Sequence, residues 1–385
     1  MTTNATRTVL AGVRWNGRAM GWPQPRALLG VVVLLVAIAL PFIVPDRSWL
    51  TTATLAMIWI TLNQSWNLVL GYGGVWNFGQ LAFYALGAYA AALLTIHVAM
   101  PAWLSIVVGG IISGGLALLL SIPILRLRGI YVSLLTFGFA EVVRLLIIAD
   151  GSGFTGGPYG LSGIDGFGVS GPGAANVNYW VTLGVAVATT LIVLFLVRSP
   201  LGNGMIAMRD NPALASARGV GQKTYQMLVF AISGFLAGVA GALYAHVFKV
   251  ASPTLMGLGA MTLLVTMLVV GGLGTVVGPV IGTLLIAFVQ MQLQDVPEIR
   301  VAALGVVLLA VILLMPRGLV PFFSHLWVGF QGWMAHEDAE DEDSDELLDA
   351  EVGSETVAVP ADDSGIAGGA PASGDPADSG AQEAR

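Results

Sequence analysis

Cysteine is absent from this chain of 385 residues. Disulfides, thiolate metal sites and cysteine nucleophiles are therefore excluded. Charge is scarce as well. Asp, Glu, Lys and Arg make up 10% of the residues, where an ordinary soluble domain carries about 25%. That depletion excludes a soluble enzyme of this size. Lysine is reduced to Lys223 and Lys249, and the four histidines (His97, His246, His325, His336) do not fall at metal-ligand spacing, so no metal site is expected. No Gly-rich run ends in the Gly-Lys-Ser/Thr that a bound nucleotide needs, the loop "DGSGFTGGPYGLSGIDGFG" included. Gly-x-Ser-x-Gly and His-Glu-x-x-His are missing too. The chain is expected to hold no cofactor, to have no ATPase of its own, to be no enzyme and to take no nucleic-acid partner.

Long apolar runs are plentiful. Hydrophobic residues make up 56% of the chain, and runs of about 20 residues recur, the length that crosses a bilayer as a helix. The expectation is an all-α, polytopic membrane protein with about ten spans. They are placed at 27–45, 49–70, 80–98, 104–125, 130–149, 179–197, 225–248, 256–270, 276–292 and 301–315. Residues 1–26 lack the pattern of a cleaved signal peptide and read as a cytoplasmic segment. Residues 27–320 form the membrane domain, with a charged loop at 198–224. With the N-terminus inside, eleven Lys or Arg fall in inner segments and three, Arg47, Lys249 and Arg300, in outer loops. That asymmetry fits the positive-inside rule and places both termini in the cytoplasm of a cell membrane.

The net charge of −7 hides two opposed regions. The stretch 337–385 holds 16 of the 23 acids and one base, which leaves a membrane body with 15 bases and 7 acids. Opening on "EDAEDEDSDELLDAE", that tail is expected to be disordered. The acidic tail and the near absence of lysine hint at a GC-rich, salt-loving prokaryote.

Several stretches interrupt the apolar pattern. "RDNPALASARGV", Arg209 to Val220, is a charged island between the sixth and seventh spans. Asn211 suits a helix N-cap, Pro212 the first turn, and Gly219 the stop. Such a short helix with small surface residues suits docking by a cytoplasmic protein. "GYGGVWNFGQ", with Gly73, Gly74, Asn77 and Gln80, breaks the backbone after the second span. Non-helical backbone at membrane depth survives only against protein or a watery cavity, so this break either lines a path or packs tightly. Asn63, Gln64, Ser65 and Asn67 in the second span glue helices or line a pore. "GGLGTVVGP", with Gly271 and Gly272, is a matching break after the eighth span. The two breaks raise an inverted internal repeat, an arrangement that places substrate between broken helices. In the fifth span Glu141 and Arg144 stand three residues apart and can pair. Charged groups inside a membrane normally face the bundle interior.

Taken in order, "GYGGVWNFGQLAFYALGAYAAALL", "LRLRGIYVSLLTFGFAEVVRLLI", "TGGPYGLSGI", "GNGMIAMRDNPALASARGV" and "ISGFLAGVAGALYA … GGLGTVVGPVIG" resemble the M-type permease of branched-chain amino acid ABC importers. The resemblance spans about residues 51–320, leaving out the acidic tail. It implies a membrane pathway for hydrophobic amino acids and a homologous second permease subunit as heterodimer partner. It also implies two cytoplasmic subunits that hydrolyse ATP and an extracytoplasmic substrate-binding protein. Arg209, Asp210, Asn211, Ala213, Ala215 and Gly219 match the loop that couples to the ATPases. Urea and short-chain amide permeases share this family, and an ATP-independent transporter or channel is the reading from another class.

Overall fold

The computed structural model describes residues 47–127, 129–169, 171 and 173–292, with scattered positions between 35 and 41 and between 305 and 320. The segments 1–26 and 337–385, and most of the first and tenth expected spans, lie outside the described residues.

The chain is all-α and fits a multi-pass membrane protein. α1 (Arg47–Asn67) runs into a π-helical turn, Leu68–Tyr72. After a break come α2 (Gln80–Val98), α3 (Ala102–Ile124) and α4 (Ile130–Ile148). α5 (Ala174–Arg198) leads to two short helices, α6 (Pro200–Asp210) and α7 (Pro212–Ala217). α8 (Gln222–Phe248), α9 (Leu258–Gly271) and α10 (Gly278–Gln292) complete the described bundle. Among the described residues α2, α3, α4, α5 and α8 are long and apolar enough to cross a membrane, and α9 and α10 are shorter apolar helices.

α8 is the centre of the packing, against α2 and α3. Small residues allow this, since lipid provides no hydrophobic drive between helices and close backbone approach supplies the attraction. Gly87 on α2 meets Gly238 on α8, and a Cβ on Gly241 would overlap the Tyr84 carbonyl oxygen. Large side chains then fill the spaces around the glycine seam, with Phe83, Leu81 and Leu243 fully enclosed. α1 packs against α8 as well, and against α5.

At the end of the bundle away from the π-turn, β1 (Leu161–Ser162) pairs antiparallel with β2 (Val250–Ala251), Leu161 opposite Ala251. His246 fixes the loop there. Its Nδ1 lies 2.7 Å from the Asp165 carbonyl oxygen, and its Nε2 lies 2.6 Å from Ser105 Oγ. The Asp150 carboxylate accepts from the Ser152 and Thr155 hydroxyls and amides. These donors hold its pKa well below the usual carboxylate value, the Ser152 hydroxyl first among them.

Candidate functional site

The two glycine breaks meet at one end of the bundle. Gly73 N–H reaches the Leu68 carbonyl and Val75 N–H that of Val69, so the π-turn closes with wide rings before the chain turns. Gly74 adopts φ +67°, a region open to glycine, and lies under the Arg209 side-chain stem. The second break begins where α9 ends at Gly271. Gly272 takes φ +111°, and its N–H bonds to the Leu268 carbonyl.

Asn67 joins the two breaks. Its Nδ2 donates to the Thr275 carbonyl at 2.8 Å, and its Oδ1 accepts from Gly274 N–H at 2.9 Å. Gln64 donates to the Val276 carbonyl at 2.6 Å. The side-chain amides thus complete backbone hydrogen bonds that the break would leave open, which is obligatory in a buried setting.

A second network holds the start of α2. Gln80 Nε2 donates to Ser65 Oγ at 2.8 Å and lies 3.1 Å from Ser233 Oγ. Ser233 Oγ donates to the Ser65 carbonyl at 2.7 Å. Asn77 Nδ2 donates to Gln80 Oε1 at 3.1 Å, and Asn77 Oδ1 accepts from Gly79 N–H. Trp66 Nε1 donates to the Asn77 carbonyl at 2.7 Å. Asn67, Asn77 and Gln80 are enclosed and bonded to protein. Their hydrogen bonds run to the backbone and side chains of the two breaks and of α8.

The charged island differs from its expected extent. Arg209 and Asp210 belong to the end of α6, a helix that begins at Pro200. Only after them does Asn211 cap α7, its Oδ1 accepting from Leu214 N–H at 3.0 Å, with Pro212 in the first turn. Gly219 ends the segment at φ +83°. Its N–H reaches the Ser216 carbonyl and Val220 N–H reaches that of Ala215, the bond pair of a Schellman motif. Ala213 and Leu214 are exposed, whereas Ala215 is buried and so faces away from an approaching protein.

Arg209 connects this segment to the breaks. Its Nη1 donates to the Gly71 carbonyl at 2.7 Å and its Nε to Asp210 Oδ1 at 2.9 Å. Between the break, α6, α7 and the start of α8 lies a cavity of about 660 Å³, lined by Gly74, Trp76, Arg209, Pro212, Gln226 and Phe230 among others.

The structure therefore brings Arg209, Gly73, Gly74, Gly272 and Asn67 into one assembly, with Asn77 and Gln80 in the adjoining network. Glu141 and Arg144 stand apart. They pair on α4, Nη2 to Oε1 at 2.6 Å and Nε to Oε2 at 3.0 Å. Within this chain both side chains are partly exposed, Glu141 at 40% and Arg144 at 32%. Sequence reasoning missed Ser233 and the carbonyls of Gly71 and Thr275. A lone serine in an apolar helix carries no signal of its own, and carbonyl partners carry none.

The model of the family described as "Branched-chain amino acid transport system / permease component" matches residues 48–316. That span takes in both breaks, the island and α4. The chain belongs to this family. The high-affinity branched-chain amino acid transport system permease protein LivM of Escherichia coli (strain K12) is 30% identical over 316 residues, 76% of this chain and 74% of the relative. LivM of Salmonella typhimurium is 29% identical over the same shares. No solved structure matches the chain. The breaks and the island therefore sit inside the portion that makes this chain a transport permease, and its relatives are transport subunits.

Proposed function

We propose that this permease is the membrane subunit of an ATP-driven, binding-protein-dependent importer of branched-chain amino acids. In that reading α6 and α7 lie in the cytoplasm, and the β1–β2 end faces outward, in keeping with the excess of Lys and Arg on the α7 side. A homologous permease completes the pathway, two cytoplasmic ATPases dock on α7, and an extracytoplasmic protein delivers substrate.

The observation that carries the reading is the tie to the breaks from the end of α6, which leads directly into α7. A plain connecting loop needs neither a capped six-residue helix with an exposed Leu214 nor a guanidinium bonded to the end of a broken span. A docking helix needs both. ATP-driven closure displaces α7, Arg209 passes the displacement to Gly71 and Gly74, and the breaks change their packing. The coupling is mechanical, with a bistable bundle biased by a contact that differs between its states.

The test is recovery of the tagged chain from its native membrane in mild detergent, with mass spectrometry of what accompanies it. The expected set is one or two kinds of ATPase subunit and a second permease. A chain that reproducibly emerges alone under crosslinking contradicts the importer reading.

A further inference from the structure

α4 is the least enclosed of the five long apolar helices. In its most apolar 18-residue stretch 22% of residues are buried, against 67% for α8. Its open side carries Leu134, Phe137, Val142 and Leu145, and between them the Glu141–Arg144 pair. Glu141 is the twelfth of nineteen residues, about 3 Å past the midpoint of the helix at 1.5 Å per residue. A charged pair at that depth does not face lipid without cost, and such groups mark a watery path or a protein contact.

Two features of the pair point to a ligand. First, its own bonds leave capacity over. Arg144 commits Nε and Nη2 to Glu141, while a guanidinium carries five N–H donors and a carboxylate can accept about four bonds. A carboxylate can therefore add to Arg144 and an ammonium to Glu141 without breaking the pair. Second, Gly138 lies one turn before Glu141 on the same side, and a Cβ there would meet nothing within 4 Å. Glycine inside a helix is destabilising by about 1 kcal/mol relative to alanine, and among the described residues nothing lies within 4 Å of where its Cβ would stand.

The geometry points to a transit subsite for the α-amino-acid zwitterion on α4. The substrate α-carboxylate adds to the Arg144 guanidinium and the α-ammonium to Glu141. The aliphatic side chain lies over Gly138, between Phe137 and Leu145. This rests on the importer reading above and adds a binding site to it. The contacts are few and partly solvated, as passage requires, since a site that held substrate tightly would not release it.

The complex recovered through the tagged chain is reconstituted in proteoliposomes with its binding protein and assayed for ATP-driven leucine uptake. Glu141→Gln and Arg144→Gln should each lower uptake at least tenfold while partner recovery is unchanged. The double exchange Glu141→Arg with Arg144→Glu keeps an ion pair but reverses its polarity. It should keep the thermal midpoint of the wild-type complex and still fail to transport. Gly138→Leu alters no charge, its Cβ meets no described atom within 4 Å, and it should also cut leucine uptake. Wild-type uptake in either neutral variant, in the exchanged pair or in Gly138→Leu overturns the subsite while leaving the importer reading intact. A wild-type complex that takes up no leucine refutes the functional reading on which the subsite rests.

Discussion

Arg209 Nη1 lies 2.7 Å from the carbonyl oxygen of Gly71, a residue 138 positions earlier in the chain. That bond joins the last turn of α6 to the π-turn that ends α1. The same side chain covers Gly74 and bonds to Asp210. One residue thus links the charged island to a glycine break.

Replacing Arg209 by lysine keeps the charge but removes the planar fork that serves Gly71 and Asp210 at once. The side chain is 35% exposed, so the cost in stability should stay near 1 kcal/mol, the scale of a solvent-screened charged contact. Transport should fall much further than assembly. Comparing uptake with ATPase activity in the reconstituted complex checks this, and equal loss of both would argue against a transmitting role.

Asn67 should be the most sensitive residue of the paired breaks. Asn67→Ala strands the Gly274 N–H and the Thr275 carbonyl, at about 1–3 kcal/mol for each buried group left without a partner. Asn67→Asp keeps an acceptor for Gly274 but sets a buried charge against the Thr275 carbonyl, and should be worse. Thermal unfolding in detergent should rank wild type above Asn67→Ala above Asn67→Asp.

The short helix α7 depends on its two ends. Asn211→Ala removes the bond to Leu214 N–H and should destabilise α7 by about 1 kcal/mol, while Asn211→Asp should retain it. Gly219→Ala meets no steric obstacle but must adopt a left-handed conformation at φ +83°, worth about 1–2 kcal/mol. Hydrogen exchange of residues 212–217 should rise in both damaging variants, and recovery of ATPase subunits should fall with it.

The loop beginning at Asp150 supplies a prediction in pH. Its carboxylate has a folded pKa below the ordinary value of 3.8. The associated stability is present above that ordinary value and is lost as pH falls through the folded pKa. Protection of the Thr155 amide should therefore be unchanged between pH 7 and pH 4. Asp150→Asn, which loses one of the two accepting oxygens, should weaken that protection equally at both ends of this range. A wild-type loss of protection setting in above pH 4 would contradict the assignment.

Much of this was legible because it is local. Asn211, Pro212 and Gly219 act within a few residues, and each end of α7 closes as their identities imply. The break after α1 announced itself through glycines and amides in an apolar run. What those amides bind was not legible, because Gly274 lies 207 residues from Asn67 and only packing brings it near. α6 escaped notice for a related reason. Gly202 and Gly204 weaken its local helix signal, yet Gly204 is what lets the Tyr225 ring lie against the helix. The pairing of Glu141 with Arg144 follows from their spacing, but the side of α4 they occupy depends on neighbours that spacing does not reveal.

The central claim is that α7 is where an ATPase docks. The chain has no cysteine, so Leu214→Cys introduces a single thiol at an exposed position, 52% accessible, in the middle of α7. A short thiol-to-amine crosslinker applied in native membranes, followed by mass spectrometry of the joined product, reads its neighbour directly. The account predicts an adduct with a nucleotide-binding subunit that is reduced by Asn211→Ala. Crosslinks only to unrelated proteins, in a chain that still supports transport, would contradict it.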